Sequence, residues 1–250
     1  MAVIGIMSAM HEELAAVLAV MPDEHRVCVA GRDFGVGHWH GHDVVAVLSR
    51  IGKVAAATTA TVLLERFKVD ALVFTGAAGG LAVDAQVGDV VVANALMQHD
   101  MDASPLFPRH EVPLYGRARF DTDPALSQAL AAAAAQVLSD PVQHLGAQAI
   151  ADFHLLSPRV HQGLIVSGDR FVSTTAESHA LQLSLPDALA VEMEGAAVAQ
   201  VCLDYGVPFA AVRTISDRAD DEAHTDFGRF IRDVASRYSL AILSQWLMQR

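Results

Sequence analysis

Four carboxylates stand in this sequence where proton chemistry needs them. Glu192 and Glu194 interrupt the apolar run "ALAVEMEGAAVAQVC" (188–202), which begins like a buried strand and ends like a buried helix. Burying a carboxylate is costly unless something pairs with it. In an extended strand, residues two apart share a face, which predicts Glu192 and Glu194 on one side and Met193 on the other. Asp217 ends the next apolar run, "AAVRTISDRAD", again at a strand's carboxyl end, where open α/β sheets bind ligands. Glu13 borders the apolar stripe Met10, Leu14, Val17, Leu18 and Met21 of a first helix and is expected to face inward, while Glu12 points away. Each acid has a plainer alternative. Glu192 and Glu194 can cap the following helix. Glu12 and Glu13 can be first-turn acids. Asp217 can open the solvated acidic stretch that continues through Asp220, Asp221 and Glu222.

The elements that must carry these acids follow from apolar periodicity. Strands are expected at 2–7, 26–31, 35–41 and 43–52, the last three forming a meander. Others are expected at 70–76, 88–100, 162–168, 188–194 and 208–216. Helices are expected at 9–21, 53–67, 124–139, 195–206 with Gly206 as C-cap, and 224–249. Strand–helix alternation with continuous apolar strands predicts an α/β fold covered on both sheet faces, and the meander predicts a mixed sheet. With no linker and no repeat, residues 1–250 read as a single domain. "TGAAGG" (75–80) follows a strand and reads either as a close backbone approach to a ligand or as a packing turn. It lacks the GxGxxG pattern and a Walker lysine, so a dinucleotide-binding enzyme is disfavoured. Residues 100–120, with three prolines, form the one long loop expected.

Composition narrows the partners. The 250 residues carry a net charge of −12 with no basic cluster, which argues against nucleic acid. Cys28 and Cys202 sit in apolar surroundings and read as packed thiols. "HWHGH" (38–42) reads as a hairpin around Gly41 rather than a metal site, and no metal or organic cofactor is expected. There is no signal-peptide pattern and no apolar run of membrane-spanning length, so a cytoplasmic protein without membrane association is expected.

The segments "GIMSAMHEEL", "SRIGKVAAA", "FTGAAGGL", "GDVVVA", "LIVSGDRFV", "AVEMEGAAVAQVC" and "VRTISDRAD" occur in the order seen in the 5′-methylthioadenosine/S-adenosylhomocysteine nucleosidases of the purine nucleoside phosphorylase superfamily. The resemblance spans nearly the whole chain. It implies a three-layer α/β/α sandwich around a mixed twisted sheet, usually a homodimer, that hydrolyses the N-glycosidic bond of adenine thionucleosides without a cofactor. By motif position, Glu13 resembles the base that activates water, and Asp217 the acid that serves adenine N7. Phe171 would stack on the base and the Val172 backbone would meet its edge. Glu194 would hold the ribose hydroxyls, with Met193 against the sugar. Arg213 and Ser216 would support the site, and Ile51, Ala78 and Gly79 would line it. Met10, Leu106, Phe107 and Pro113 are the candidates for a pocket at the 5′ substituent. Two features depart from the pattern: Ala77 stands where many members carry Ser, and the 100–120 loop is longer and richer in proline. A phosphorylase would need cations to hold phosphate, but the N-terminal "MSAMHEE" is acidic and without Arg, Arg50 before Ile51 being the exception. Futalosine hydrolysis is a sister activity. A nucleoside-binding protein without catalysis would have no need for an acid–base pair.

Overall fold

The computed structural model describes residues 2–220 and 227–250. One mixed sheet organises them. Its strands are β1 (Val3–Ser8), β2 (His25–Val29), β3 (Arg32–Trp39), β4 (His42–Leu48), β5 (Ala71–Gly80), β6 (Val90–Gln98), β7 (Arg119–Asp121), β8 (Val160–Ser167), β9 (Ala188–Glu192) and β10 (Phe209–Asp217). The helices are α1 (His11–Leu18), α2 (Lys53–Arg66), α3 (Pro124–Ser139), α4 (Pro141–Leu145), α5 (Ala147–Asp152), α6 (Thr175–Ser184), α7 (Gly195–Tyr205), α8 (Phe227–Phe230) and α9 (Ser236–Met248). A π-helical turn, Ile231–Ala235, joins the last two.

The strand sequences show why both faces are covered. In β4, Val44 and Ala46 pack on one face and Val45 and Val47 on the other. β5 divides likewise into Ala71 and Val73 against Leu72 and Phe74, and β6 into Val90 and Val92 against Val91 and Ala93. With period 2 and no polar face, a strand must be sandwiched. Leu14 and Val17 of α1, Leu130 and Ala134 of α3 and Ile242 and Trp246 of α9 cover the first face. Ala60 and Leu63 of α2 and Val198 and Cys202 of α7 cover the second. This is the expected three-layer α/β/α sandwich.

β5 runs parallel to β1 and β10, and β1 runs parallel to β4. β4, β3 and β2 continue as the antiparallel meander. His40 and Gly41, at φ +50° and +82°, form the tight turn between β3 and β4. On the other side β10 pairs with β6, β6 with β8, β8 with β9, and β9 returns to β5 at Gly79 and Gly80. Five strands therefore close on themselves at the end of β5.

That closure corrects the packing-turn reading of "TGAAGG". It is not a turn but the second half of β5. β5 leaves β1 after Thr75 and meets β9 at Gly79, while staying paired to β10. The glycines permit close approach: a Cβ on Gly80 would lie 2.9 Å from the Ala85 carbonyl. The helix expected at 9–21 stops at Leu18. The short β7, α4, α5 and α6 were not expected, since too few residues in each carry a periodic signal. In the last helix, 227–248 is helical as expected, whereas 224–226 lie outside the described residues, as do Asp221 and Glu222. No helix among the described residues is long and apolar enough to cross a membrane.

Candidate active site

A cavity of about 160 Å³ opens where the carboxyl ends of β1, β4, β5, β8, β9 and β10 converge. It is lined by Met10 and Ile51, by Ala78 and Gly79 at the end of β5, by Phe171 and Val172 after β8, by Met193 and Glu194 after β9, and by Ser216 and Asp217 ending β10. Segments far apart in sequence thus bring most of the expected site residues to one place. No group of acids, His and Cys that could hold a metal ion occurs among the described residues.

Asp217 is held from three sides. Its Oδ1 accepts the Ala219 amide at 2.8 Å, and its Oδ2 accepts the Ser216 hydroxyl at 2.7 Å. Gly79 is its register partner across the sheet, past a bulge between Ile215 and Asp217. A Cβ on Gly79 would sit 3.0 Å from Asp217 Oδ1 and 2.9 Å from the Ala219 Cβ, so only glycine leaves room there.

Glu192 and Glu194 do not share a strand face. β9 ends at Glu192, and Glu194 is already the N-cap of α7, with φ −136° and ψ −42°. Strand alternation fails because the chain turns into the helix at Met193, and Met193 lines the same cavity as the two acids. Glu192 takes the capping role. Its carboxylate accepts the amides of Glu194 and Gly195, at 3.2 Å and 2.9–3.0 Å, and the Ser167 hydroxyl. It also pairs with Arg213 Nη2 at 2.8 Å, both side chains being almost wholly buried. Its oxygens are therefore committed to the protein. Glu194 reaches across instead and accepts the Gly52 amide at 2.8 Å. Gly52 has φ +94° at the N-cap of α2, a conformation suited to glycine that aims its N–H at the acid. Burial first, and then the charge of Glu192, push Glu194 up to about 7.

Glu13 faces inward and Glu12 is exposed, as the helical wheel requires. Glu13 is completely buried, and its Oε2 accepts the Met10 amide at 3.2 Å in the first turn of α1. Its Oε1 has no hydrogen-bond partner in the protein. Burial pushes Glu13 up to about 7, against the opposing pull of Arg213. A buried acid poised near neutrality, with one oxygen uncommitted, is what a general base requires. Glu13 lies behind Ala9 and Met10 rather than on the cavity wall.

Arg213 also stands behind the wall and does not line the cavity. It is 1% exposed, donates to the Phe74 and Val212 carbonyls at 3.0 and 3.2 Å, and stacks over the Phe74 ring at 4.1 Å. It neutralises Glu192 and lowers the cost of ionising Glu13. Leu106, Phe107 and Pro113 are likewise not brought to the cavity. Leu106 is 83% exposed, and its loop is tied to α7 by the Tyr115 hydroxyl on Asp204, at 2.8–2.9 Å. Phe227, which the sequence reading missed, does line the cavity. It meets Phe171 edge-on, with centroids 6.2 Å apart. An aromatic residue just past an acidic run was the available signal.

The phosphorylase superfamily model matches residues 3–244. A Marinomonas protein named 5′-methylthioadenosine/S-adenosylhomocysteine nucleosidase is 36% identical over 97% of both chains. This chain belongs to the 5′-methylthioadenosine/S-adenosylhomocysteine nucleosidases of that superfamily. The Neisseria meningitidis nucleosidase, solved with methylthio-immucillin-A, superposes with a TM-score of 0.87 at 31% identity, covering all of both chains. The Helicobacter pylori futalosine hydrolase superposes at 0.84 with 32% identity, covering 100% of this chain and 98% of that one. The nucleosidase fold thus houses the cavity and its acids.

Proposed function

We propose that this enzyme hydrolyses the N-glycosidic bond of 5′-methylthioadenosine and S-adenosylhomocysteine, releasing adenine and a 5′-thioribose. The observation that carries the residue roles is the separation of two environments: a buried Glu13 with an uncommitted oxygen, and an Asp217 held at the cavity wall. Glu13 takes a proton from water as the oxygen attacks C1′. The C1′–N9 bond breaks, and Asp217 gives a proton to N7, so that adenine leaves neutral. Departure builds positive charge on the sugar, as in other glycoside hydrolyses. Phe171, 41% exposed, offers its face to the base beside the Val172 backbone. Glu194 offers two acceptor oxygens to the ribose diol, and Met193 packs against the sugar. Ser216 orients Asp217, while Ile51, Ala78 and Gly79 shape the walls. Arg213 acts through Glu192 and Glu13 without touching substrate. Met10 faces the 5′ end. Leu106, Phe107 and Pro113 are left to a second copy of the chain, whose cavity they would approach across a dimer.

A homodimer is part of this reading, and exposed Ile51, Val54, Leu106 and Leu114 support it. The continuous sheet supports a single domain over 1–250, and the free thiols of Cys28 and Cys202 fit a cytoplasmic setting. Water is favoured over phosphate as nucleophile. Among the described residues, the cation lining the cavity is Arg170, and it is paired with Glu177.

Release of the free base from methylthioadenosine, S-adenosylhomocysteine, adenosine and futalosine (adenine from the first three, hypoxanthine from the last), each with and without phosphate, tests the proposal. Phosphate-independent release from the two thionucleosides is expected. Release only with phosphate would make the enzyme a phosphorylase and remove the role of Glu13. Cleavage of futalosine alone would move it to the sister activity.

A further inference from the structure

A second cleft, of about 800 Å³, adjoins the active-site cavity and shares Ala9, Met10 and Ile51 with it. The shared residues lie at the ribose end: Ile51 precedes Gly52, whose amide holds Glu194, while Phe171 and Asp217 serve the base. The cleft therefore leads away from the sugar in the direction a 5′ substituent must take. Three guanidiniums line it, Arg26, Arg32 and Arg50, beside the acids Glu12, Glu24 and Asp33, and Arg26 is paired with Glu24 at 3.8 Å, which leaves Arg32 and Arg50. Arg32 is fixed by Thr59 Oγ1 at 2.6 Å and by the Ala55 and Ala30 carbonyls at 3.2 and 3.1 Å. Arg50 Nη2 donates to the Gly31 carbonyl. Neither forms an ion pair with an acid among the described residues, in a chain of net charge −12. They are close enough for Arg50 to add to burial in lowering the Arg32 pKa. Arg50 also sits at φ +64°, left-handed backbone that glycine adopts without strain. A long cation stands there on the one residue that separates Ser49, just past β4, from Ile51 of the cavity. Two adjacent cations held by neutral groups form a receptor for an anion, and a guanidinium matches a carboxylate in shape. Exposed Glu12 lines the same cleft and offers a partner for an ammonium group.

We infer that this cleft is a subsite for the amino-acid end of the 5′ substituent, with Arg50, backed by Arg32, holding the α-carboxylate and Glu12 facing the α-ammonium. The inference rests on the proposed hydrolase reading and deepens it. It makes Arg50 a specificity determinant that favours S-adenosylhomocysteine over methylthioadenosine, whose methyl group cannot reach the cleft's charges.

Arg50→Gly tests it without straining the backbone, since glycine suits the positive φ. Steady-state kinetics are compared for S-adenosylhomocysteine, its decarboxylated analogue, its deaminated analogue and methylthioadenosine. The expected result is a rise of about tenfold in KM for S-adenosylhomocysteine and the deaminated analogue, which keep the carboxylate. Values for methylthioadenosine and the decarboxylated analogue stay unchanged, and Arg50→Lys recovers part of the loss. Equal loss on all four substrates would make Arg50 merely structural, and no loss on any would leave the cleft without a role; either overturns the inference while the hydrolase reading stands. Wild-type enzyme that cleaves none of the four would remove the hydrolase reading first, and this inference with it.

Discussion

Replacing Glu13 with glutamine should make the protein's stability less sensitive to pH while removing its activity. Glu13 is fully buried and pushed from 4.5 up to about 7, chiefly by burial. A carboxyl with a raised folded-state pKa binds more protons folded than unfolded between those two values. The wild type therefore loses stability as pH rises from 4.5 to about 7 and carries the full penalty above that. The gap corresponds to about 3 kcal/mol. Glutamine keeps an oxygen for the Met10 amide but does not titrate. Its amide group replaces Oε1, which has no partner, and this adds a pH-independent cost of about 1–3 kcal/mol. The sign of the difference at any one pH thus depends on that offset, but its slope does not. From pH 4.5 to 8 the variant should gain about 3 kcal/mol relative to wild type, a relative shift in Tm of roughly 6–12 °C. Glu194, also raised to about 7, titrates in both proteins and drops out of the comparison. The assay is thermal or urea unfolding of both proteins across that range, with turnover measured alongside. Turnover should fall by about 10²-fold or more at every pH. Parallel stability curves would refute the reasoning, since they would mean that Glu13 ionises without penalty in the fold. Unchanged turnover would refute its role as base.

Asp217→Asn should lose turnover by about 10²–10⁴-fold while adenine still binds, measured by calorimetry, because it removes a proton donor and leaves Phe171 in place. Arg213→Met strands Glu192 without its cation and should cost about 3–5 kcal/mol in urea unfolding. The same change removes the pull that restrains Glu13, so the rise of kcat/KM with pH should move above 7 in that variant. Gly79→Ala places a methyl 2.9 Å from the Ala219 Cβ and 3.0 Å from Asp217 Oδ1. It should cost about 1–3 kcal/mol and lower kcat more than it raises KM, because it displaces the acid rather than the base-stacking surface. Wild-type kcat there would mean that the 217–219 segment yields freely.

The sequence by itself determined the layers. Strands such as β4 and β6, with the continuous apolar runs 44–48 and 90–93, have no polar face there to give to water, so helices had to cover both sides. It also determined that Glu13 points inward, since helical spacing fixes which neighbour of Met10 and Val17 faces the core. The family motifs carried most of the cavity's lining, because short segments around β-strand ends keep their local form. Tertiary structure decided the rest. Glu192 and Glu194 look equivalent by alternation, yet one caps α7 and pairs with Arg213 while the other reaches Gly52. Which acid is consumed by the fold and which is offered to a ligand depends on residues from other strands, which spacing does not encode. "TGAAGG" shows the same limit. Its glycines signal close approach, but whether a turn or a neighbouring strand makes the approach depended on β9 and β10 closing against β5. The pairing of Arg50 with Arg32 and the place of Phe227 on the cavity wall follow the same limit: they acquire meaning only when the ends of distant strands share one rim.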